Sequence, residues 1–109
     1  MKIQICSDLH LEMRRDYQLK LTDSDIIILA GDIAVGLDGI KFAISQSQLQ
    51  NKKVIYLAGN HEFYHHDYSK LLTAIRALAE QYEQVHFLEL DELIIDDVRF
   101  LGTTLWTDY

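Results

Sequence analysis

Three short stretches of this chain carry residue types that bind divalent cations. They are Ser7-Asp8-Leu9-His10, Ala30-Gly31-Asp32 and Ala58-Gly59-Asn60-His61-Glu62. Each follows a run that reads as a β-strand. Side chains alternate sides along an extended chain, so Asp8 and His10 are expected to point the same way where the first strand opens into a loop. A carboxylate and an imidazole converging there would clamp a metal ion. Hard oxygen ligands combined with imidazole suit Mn, Fe, Zn or similar divalent ions. A centrally placed Asp can bridge two ions about 3.5–4 Å apart, the separation used in two-metal phosphoester hydrolysis. The glycine ahead of Asp32 and of Asn60 would let the backbone turn sharply out of its strand.

The elements that must position these residues follow from periodicity. Residues 2–7 alternate apolar and polar and read as a strand. Residues 11–25 form a polar connection in which Glu12 is an ordinary solvated residue. Ile26-Ile27-Ile28-Leu29-Ala30 and Val54-Ile55-Tyr56-Leu57-Ala58 are short, β-branched and unalternating. Such runs suit strands covered on both faces, as in a parallel sheet. Between them, Ile40, Ala43, Ile44 and Leu49 recur at helical spacing, with Asp38 at the helix start and Asn51-Lys52-Lys53 at its end. Residues 68–83 carry a stronger amphipathic stripe of Leu71, Leu72, Ile75, Leu78, Ala79 and Tyr82. Val85-His86-Phe87-Leu88 is another short strand. Leu93-Ile94-Ile95 and Val98-Arg99-Phe100-Leu101 flank Asp96-Asp97 as a hairpin. Strands alternating with helices predict an α/β fold, a largely parallel sheet flanked by helices, ending in this C-terminal β-hairpin. In open α/β sheets ligands bind beyond the carboxyl ends of the strands. If the strands are neighbours, Asp8, His10, Asp32, Asn60 and His61 share one rim.

In order, strand context and spacing, Asp8-Leu9-His10, Gly31-Asp32 and Gly59-Asn60-His61-Glu62 resemble the first three motifs of the calcineurin-like metallophosphoesterases. Singly, Asp-x-His and Gly-Asp carry almost no information; the ordered trio is specific. The motifs span residues 1–62, and Gly102-Thr103-Thr104-Leu105-Trp106 resembles a later strand of bacterial members. The resemblance implies a metallophosphoesterase-type sandwich, here partial, with residues 1–109 as one domain that forms the N-terminal portion. It implies that Asp8 and His10 bind a first metal, Asp32 bridges two metals and Asn60 binds the second. His61 would be catalytic, assisting the leaving group beside the phosphate. Glu62 would orient its neighbours from behind the ligands, and water activated by the metals would attack phosphorus in line. The family draws further histidines from later strands, two of them in a Gly-His-x-His motif, and no such motif occurs in this sequence. His65 and His66 follow the Asn60 loop closely, yet read foremost as solvated residues at a helix start. His86 reads as a wall residue.

Composition constrains the rest. A length of 109 residues is about one domain. Ten Lys and Arg against 17 Asp and Glu leave a net charge of −7, which excludes a general nucleic-acid or anionic-lipid surface. A nucleotide substrate stays open, because bound metals reverse the local field. The single Cys6 excludes an internal disulfide and suits a reducing compartment. No apolar run approaches the ~20 residues that span a bilayer, and no signal-peptide core is visible, so a cytoplasmic protein is expected. The expected activity is metal-dependent phosphoester hydrolysis, in an incomplete or truncated form that holds one ion at most. The alternative is a non-catalytic metal-binding or interaction domain derived from the same fold. A metal-free nucleotide-binding protein fits less well, since no Gly-rich phosphate loop is present. A strand running into Leu105-Trp106 would leave an uncovered C-terminal edge, through which the chain is expected to self-associate.

Overall fold

The computed structural model describes residues 1–14 and 16–104. Four strands, β1 (Ile3–Cys6), β2 (Ile26–Ala30), β3 (Lys53–Leu57) and β4 (Val85–Phe87), form one parallel sheet in the order β1-β2-β3-β4. Helix α1 (Asp38–Gln50) connects β2 to β3, and α2 (Tyr68–Glu80) connects β3 to β4. Parallel strands added in chain order by crossovers of one hand leave every connection on one face. The core follows that rule. Ile27, Leu29, Val54, Tyr56, Val85 and Phe87 point to one side and bury Ile40, Ala43 and Ile44 of α1 with Leu71, Ile75 and Ala79 of α2. Within the polar connection at 11–25, Leu19 is buried in this core, its N–H donating to Gln46 Oε1.

The other face is covered by the hairpin of β5 (Asp91–Ile95) and β6 (Val98–Gly102). Leu93, Ile95 and Phe100 pack on Ile26, Ile28, Ile55 and Leu57. This double cover explains why β2 and β3 read as unbroken apolar runs. The hairpin turn has no glycine. Asp96 and Asp97 both take positive φ, 50° and 65°, as a tight two-residue turn requires; Asp tolerates that conformation better than most side chains. Arg76 of α2 ties down the hairpin start, with Nη1 donating to Asp91 Oδ2 and Nη2 to the Glu89 carbonyl, each at 2.9 Å.

Helix ends are locally encoded. Asp67 caps α2 by accepting from the Lys70 N–H, and Asn51 closes α1 in the left-handed conformation. Asp38 lies in the first turn of α1 rather than at its cap. The hairpin does not reach across β1, where Ile3 and Ile5 stay 39% and 67% exposed. Cys6 faces the helix side, partly buried, and burial pushes its thiol up. The uncovered edge expected at Leu105-Trp106 lies outside the described residues. Among the described residues no helix is long and apolar enough to cross a membrane.

Ile27→Ala should lower stability by about 2–5 kcal/mol, the range for truncating a core aliphatic, whereas Ile5→Ala should stay within about 0.5 kcal/mol; urea unfolding measures both. His86 is pushed below its ordinary 6.5, first by burial and then by the Lys53 charge. The unfolded chain therefore takes up that proton first, and the contribution to stability is lost as pH falls through 6.5 toward the folded value. His86→Gln should flatten this part of the stability profile between pH about 7.5 and about 5.5; parallel profiles for the two proteins would refute it.

Candidate metal centre

The carboxyl ends of β1, β2 and β3 feed three loops that run side by side. Past the strands, the Asp8 N–H donates to the Gly31 carbonyl (3.0 Å), His10 N–H to Asp32 (3.1 Å) and Leu11 N–H to Ile33 (2.8 Å). The β1–β2 pairing thus continues through the loops. Strand β1 itself closes at Cys6, so extended-chain alternation is not what aligns Asp8 with His10. Both, and Asp32 as well, take left-handed backbone, with φ of 55°, 48° and 53°. Such conformations are disfavoured for L-residues by roughly 1–2 kcal/mol, and three at one rim mark strain of the kind that collects at functional sites.

These loops bring ligand atoms of Asp8, His10 and Asp32 within 4.8 Å of one another. His10 Nε2 is 3.9 Å from Asp8 Oδ1. Two groups each about 2.0–2.2 Å from one ion stand at most roughly 4.4 Å apart, so that spacing admits a cation between them. The donor set, two carboxylates and an imidazole, suits a divalent ion. A second sign is His61 Nδ1, which is buried and has no hydrogen-bond partner among the described residues. It lies 3.6 Å from Asp32 Oδ1. The His61 backbone N–H donates to the same oxygen at 2.9 Å, and its ring meets His10 edge-on with centroids 4.4 Å apart. Asn60 opens the 3-10 turn His61–Phe63 and lines a cavity of about 280 Å³ with Asp8, Asp32, Thr103 and Thr104. All five residues singled out in the sequence therefore meet at one rim.

Behind them sits Glu62, with no exposed surface. Its Oε1 accepts from Asp32 N–H (3.0 Å) and Gly59 N–H (2.8 Å); its Oε2 accepts from Ile33 N–H (3.0 Å) and the Tyr56 hydroxyl (2.8 Å). Burial raises its carboxyl above the ordinary 4.5, although the four donors oppose that. The Tyr56 hydroxyl is pushed well above 10 by burial, with the Glu62 charge adding to it. The glycines divide their work. Gly31 supplies a turn with φ of 89°, while Gly59 is needed for close approach, since a Cβ there would overlap the Asp32 carboxylate.

Other residues fall outside the expectation. His65 and His66 are exposed and belong to neither metal-capable group among the described residues; the His66 ring lies against Gly36. Glu12 is more than a solvated loop residue, since its Oε1 is 3.6 Å from His10 Nδ1. Thr103 and Thr104 reach the rim from β6. Thr104 Oγ1 donates to the Ala58 carbonyl (2.6 Å), and Thr103 Oγ1 to buried Glu89 (2.7 Å). No local pattern announces these contacts, because they join residues far apart in the chain.

A family model for calcineurin-like phosphoesterases matches residues 1–106. The chain belongs to that family. Its four-stranded parallel sheet, two helices and antiparallel hairpin accord with the family's fold, and the family works with divalent metal ions. The chain is also similar to an uncharacterized protein of Acanthamoeba polyphaga mimivirus, with 25% identity over 124 residues. The match covers 97% of this chain and 44% of that protein, so the chain spans less than half the length of its relative.

The Glu62 clamp is testable by unfolding in urea. Tyr56→Phe should lower stability by about 1.5–3 kcal/mol, as for a hydrogen bond to a charged group. Replacing a helical Gly by Ala usually helps, by roughly 0.5–1 kcal/mol in a helix interior and less in the first turn, where Gly39 lies. Gly39→Ala should instead destabilise, because the new Cβ would overlap the Tyr56 hydroxyl and come within 3.3 Å of Glu62 Oε2. A stabilised Gly39→Ala protein would contradict this packing.

Proposed function

We propose that the chain is the N-terminal part of a metallophosphoesterase domain and hydrolyses phosphoester bonds with divalent ions held at this rim. The observation that carries the reading is the convergence of Asp8, His10 and Asp32 with His61 beside them. Asp8, His10 and Asp32 would hold one ion; Asp32 and Asn60 would contribute to a second. Bound ions would supply polarisation of the phosphoryl oxygens and an activated water. His61, edge-on to His10 and hydrogen-bonded through its backbone to Asp32, would stand beside the phosphate and assist departure of the leaving-group oxygen. The Mn, Fe and Zn class of ion suits this donor set.

The ligand count sets what the chain does alone. One position has two carboxylates and an imidazole, whereas the other has a shared carboxylate and a neutral amide. We therefore expect one ion to bind well and turnover to be weak until further ligands complete the second position. A chain spanning 44% of its relative accords with ligands supplied from elsewhere in a longer protein. The partly buried free thiol of Cys6 accords with a reducing, cytoplasmic setting. Self-association of the isolated chain would run through its uncovered C-terminal edge.

Calorimetric titration with Mn²⁺, followed by assay on p-nitrophenyl phosphate and its bis-ester, tests the proposal. One bound ion with weak metal-dependent turnover is expected. Asp32→Asn should reduce Mn²⁺ affinity by more than the about 10–100-fold typical of losing a group behind a ligand. His61→Ala should keep the ion and lower any turnover by ~10²-fold or more. Two tight sites with fast turnover would overturn the incomplete-site reading. Metal binding without any turnover would favour a non-catalytic metal-binding domain, and no binding at all would remove the metal centre.

A further inference from the structure

We infer that Glu12 is a positioning residue for the metal ligand His10: it accepts the His10 Nδ1 proton and so leaves Nε2 free to face the Asp8–Asp32 position. The inference rests on the metal reading above.

The His10 imidazole lies between two carboxylates. Nε2 is 3.9 Å from Asp8 Oδ1, and Nδ1 is 3.6 Å from Glu12 Oε1. A neutral imidazole carries one proton, and only the bare nitrogen can take a metal. Free histidine in water prefers the proton on Nε2, the wrong nitrogen for this rim. A carboxylate at Nδ1 reverses that preference and fixes the ring plane, as partners behind metal-binding histidines do. The backbone delivers Glu12 to that place. Left-handed His10 starts the 3-10 turn Leu11–Met13, the Leu11 N–H is held by the Ile33 carbonyl at 2.8 Å, and the Met13 N–H returns to the His10 carbonyl at 2.9 Å. The turn sets the i+2 carboxylate against the ring. Among the described residues, the Glu12 side chain shows no hydrogen bond or other ion pair that would hold it elsewhere. At 3.6 Å the pair is longer than a direct hydrogen bond, and the proposed contact requires a torsion of the exposed Glu12 side chain to close it.

One rival use of Glu12 exists. Ligand atoms of His10, Glu12 and His61 also lie within 4.8 Å of one another. His10 cannot serve both groups at once, because its second nitrogen would have to lose the remaining proton. The Asp8–Asp32 side offers two carboxylates against one and attracts a divalent ion more strongly, which leaves Nδ1–H for Glu12.

The test uses the chain with ¹⁵N-labelled histidine. Long-range proton–nitrogen correlation at alkaline pH, without metal, reads the His10 tautomer directly, and Mn²⁺ titration by calorimetry reads affinity. The wild type should show the proton on Nδ1. Glu12→Ala should shift it toward Nε2 and weaken Mn²⁺ binding by about 10–100-fold, with an unchanged metal-free melting midpoint. Glu12→Gln keeps an acceptor oxygen and should restore the tautomer and much of the affinity. An Nε2–H wild type, or a Glu12→Ala protein with unchanged tautomer and affinity, would overturn the inference. So would loss of a whole bound ion in Glu12→Ala at saturating Mn²⁺, which would make Glu12 a ligand. Should the wild type bind no Mn²⁺, the metal reading falls, and the tautomer measurement alone decides whether Glu12 orients His10.

Discussion

A single buried carboxylate holds the rim together. Glu62 accepts from the backbone of Asp32 and Ile33 after β2, from Gly59 after β3, and from the Tyr56 hydroxyl inside the sheet. Removing a carboxylate from water is strongly unfavourable unless its oxygens are fully used. Here each oxygen takes two donors, and the three backbone donors belong to the two loops that carry Asp32 and Asn60. The position of one loop is thereby fixed against the other. Tyr56 extends the same network into the core, where its ring packs with Phe87, and Gly39 of α1 leaves room for the hydroxyl. The helix layer, the sheet and the rim are coupled through one hydrogen-bonded centre.

That coupling explains how a strained surface persists. Asp8, His10 and Asp32 hold left-handed backbone that an isolated loop would abandon. They keep it because the β1 loop borrows carbonyls from the β2 loop, which Glu62 has already fixed. In that backbone the ligand atoms of the three side chains come within 4.8 Å of one another. The hairpin adds a wall from the other side through Thr103 and Thr104, anchored on Glu89 and on the Ala58 carbonyl.

Much of this was legible in the sequence because it depends on periodicity and residue type. The apolar runs of β2 and β3 announced strands covered on both faces, the stripe at Leu71, Ile75 and Ala79 announced α2, and five candidate site residues at strand ends do share one rim. What was not legible depends on backbone conformation and long-range contact. Asp8 and His10 converge through a left-handed loop and not through strand alternation. Asp96-Asp97 makes a tight turn without glycine because aspartate tolerates positive φ. Leu19 is buried in the helix-side core although its neighbours are polar, and its N–H donates to Gln46 of α1, contacts that only the fold brings together. Glu12 is close to His10 in sequence, yet its meaning appears only once the 3-10 turn is known. Thr104 meets Ala58 across 46 residues, a distance that no spacing rule covers.

Asp8, His10 and Asp32 are proposed to hold one divalent ion without rearrangement of their loops. Anomalous diffraction from crystals soaked in Mn²⁺ tests this most directly. A peak within direct bonding distance of both carboxylates and of His10 Nε2 is expected, with the three residues still in left-handed backbone. A peak elsewhere, or none at saturating Mn²⁺, would contradict it.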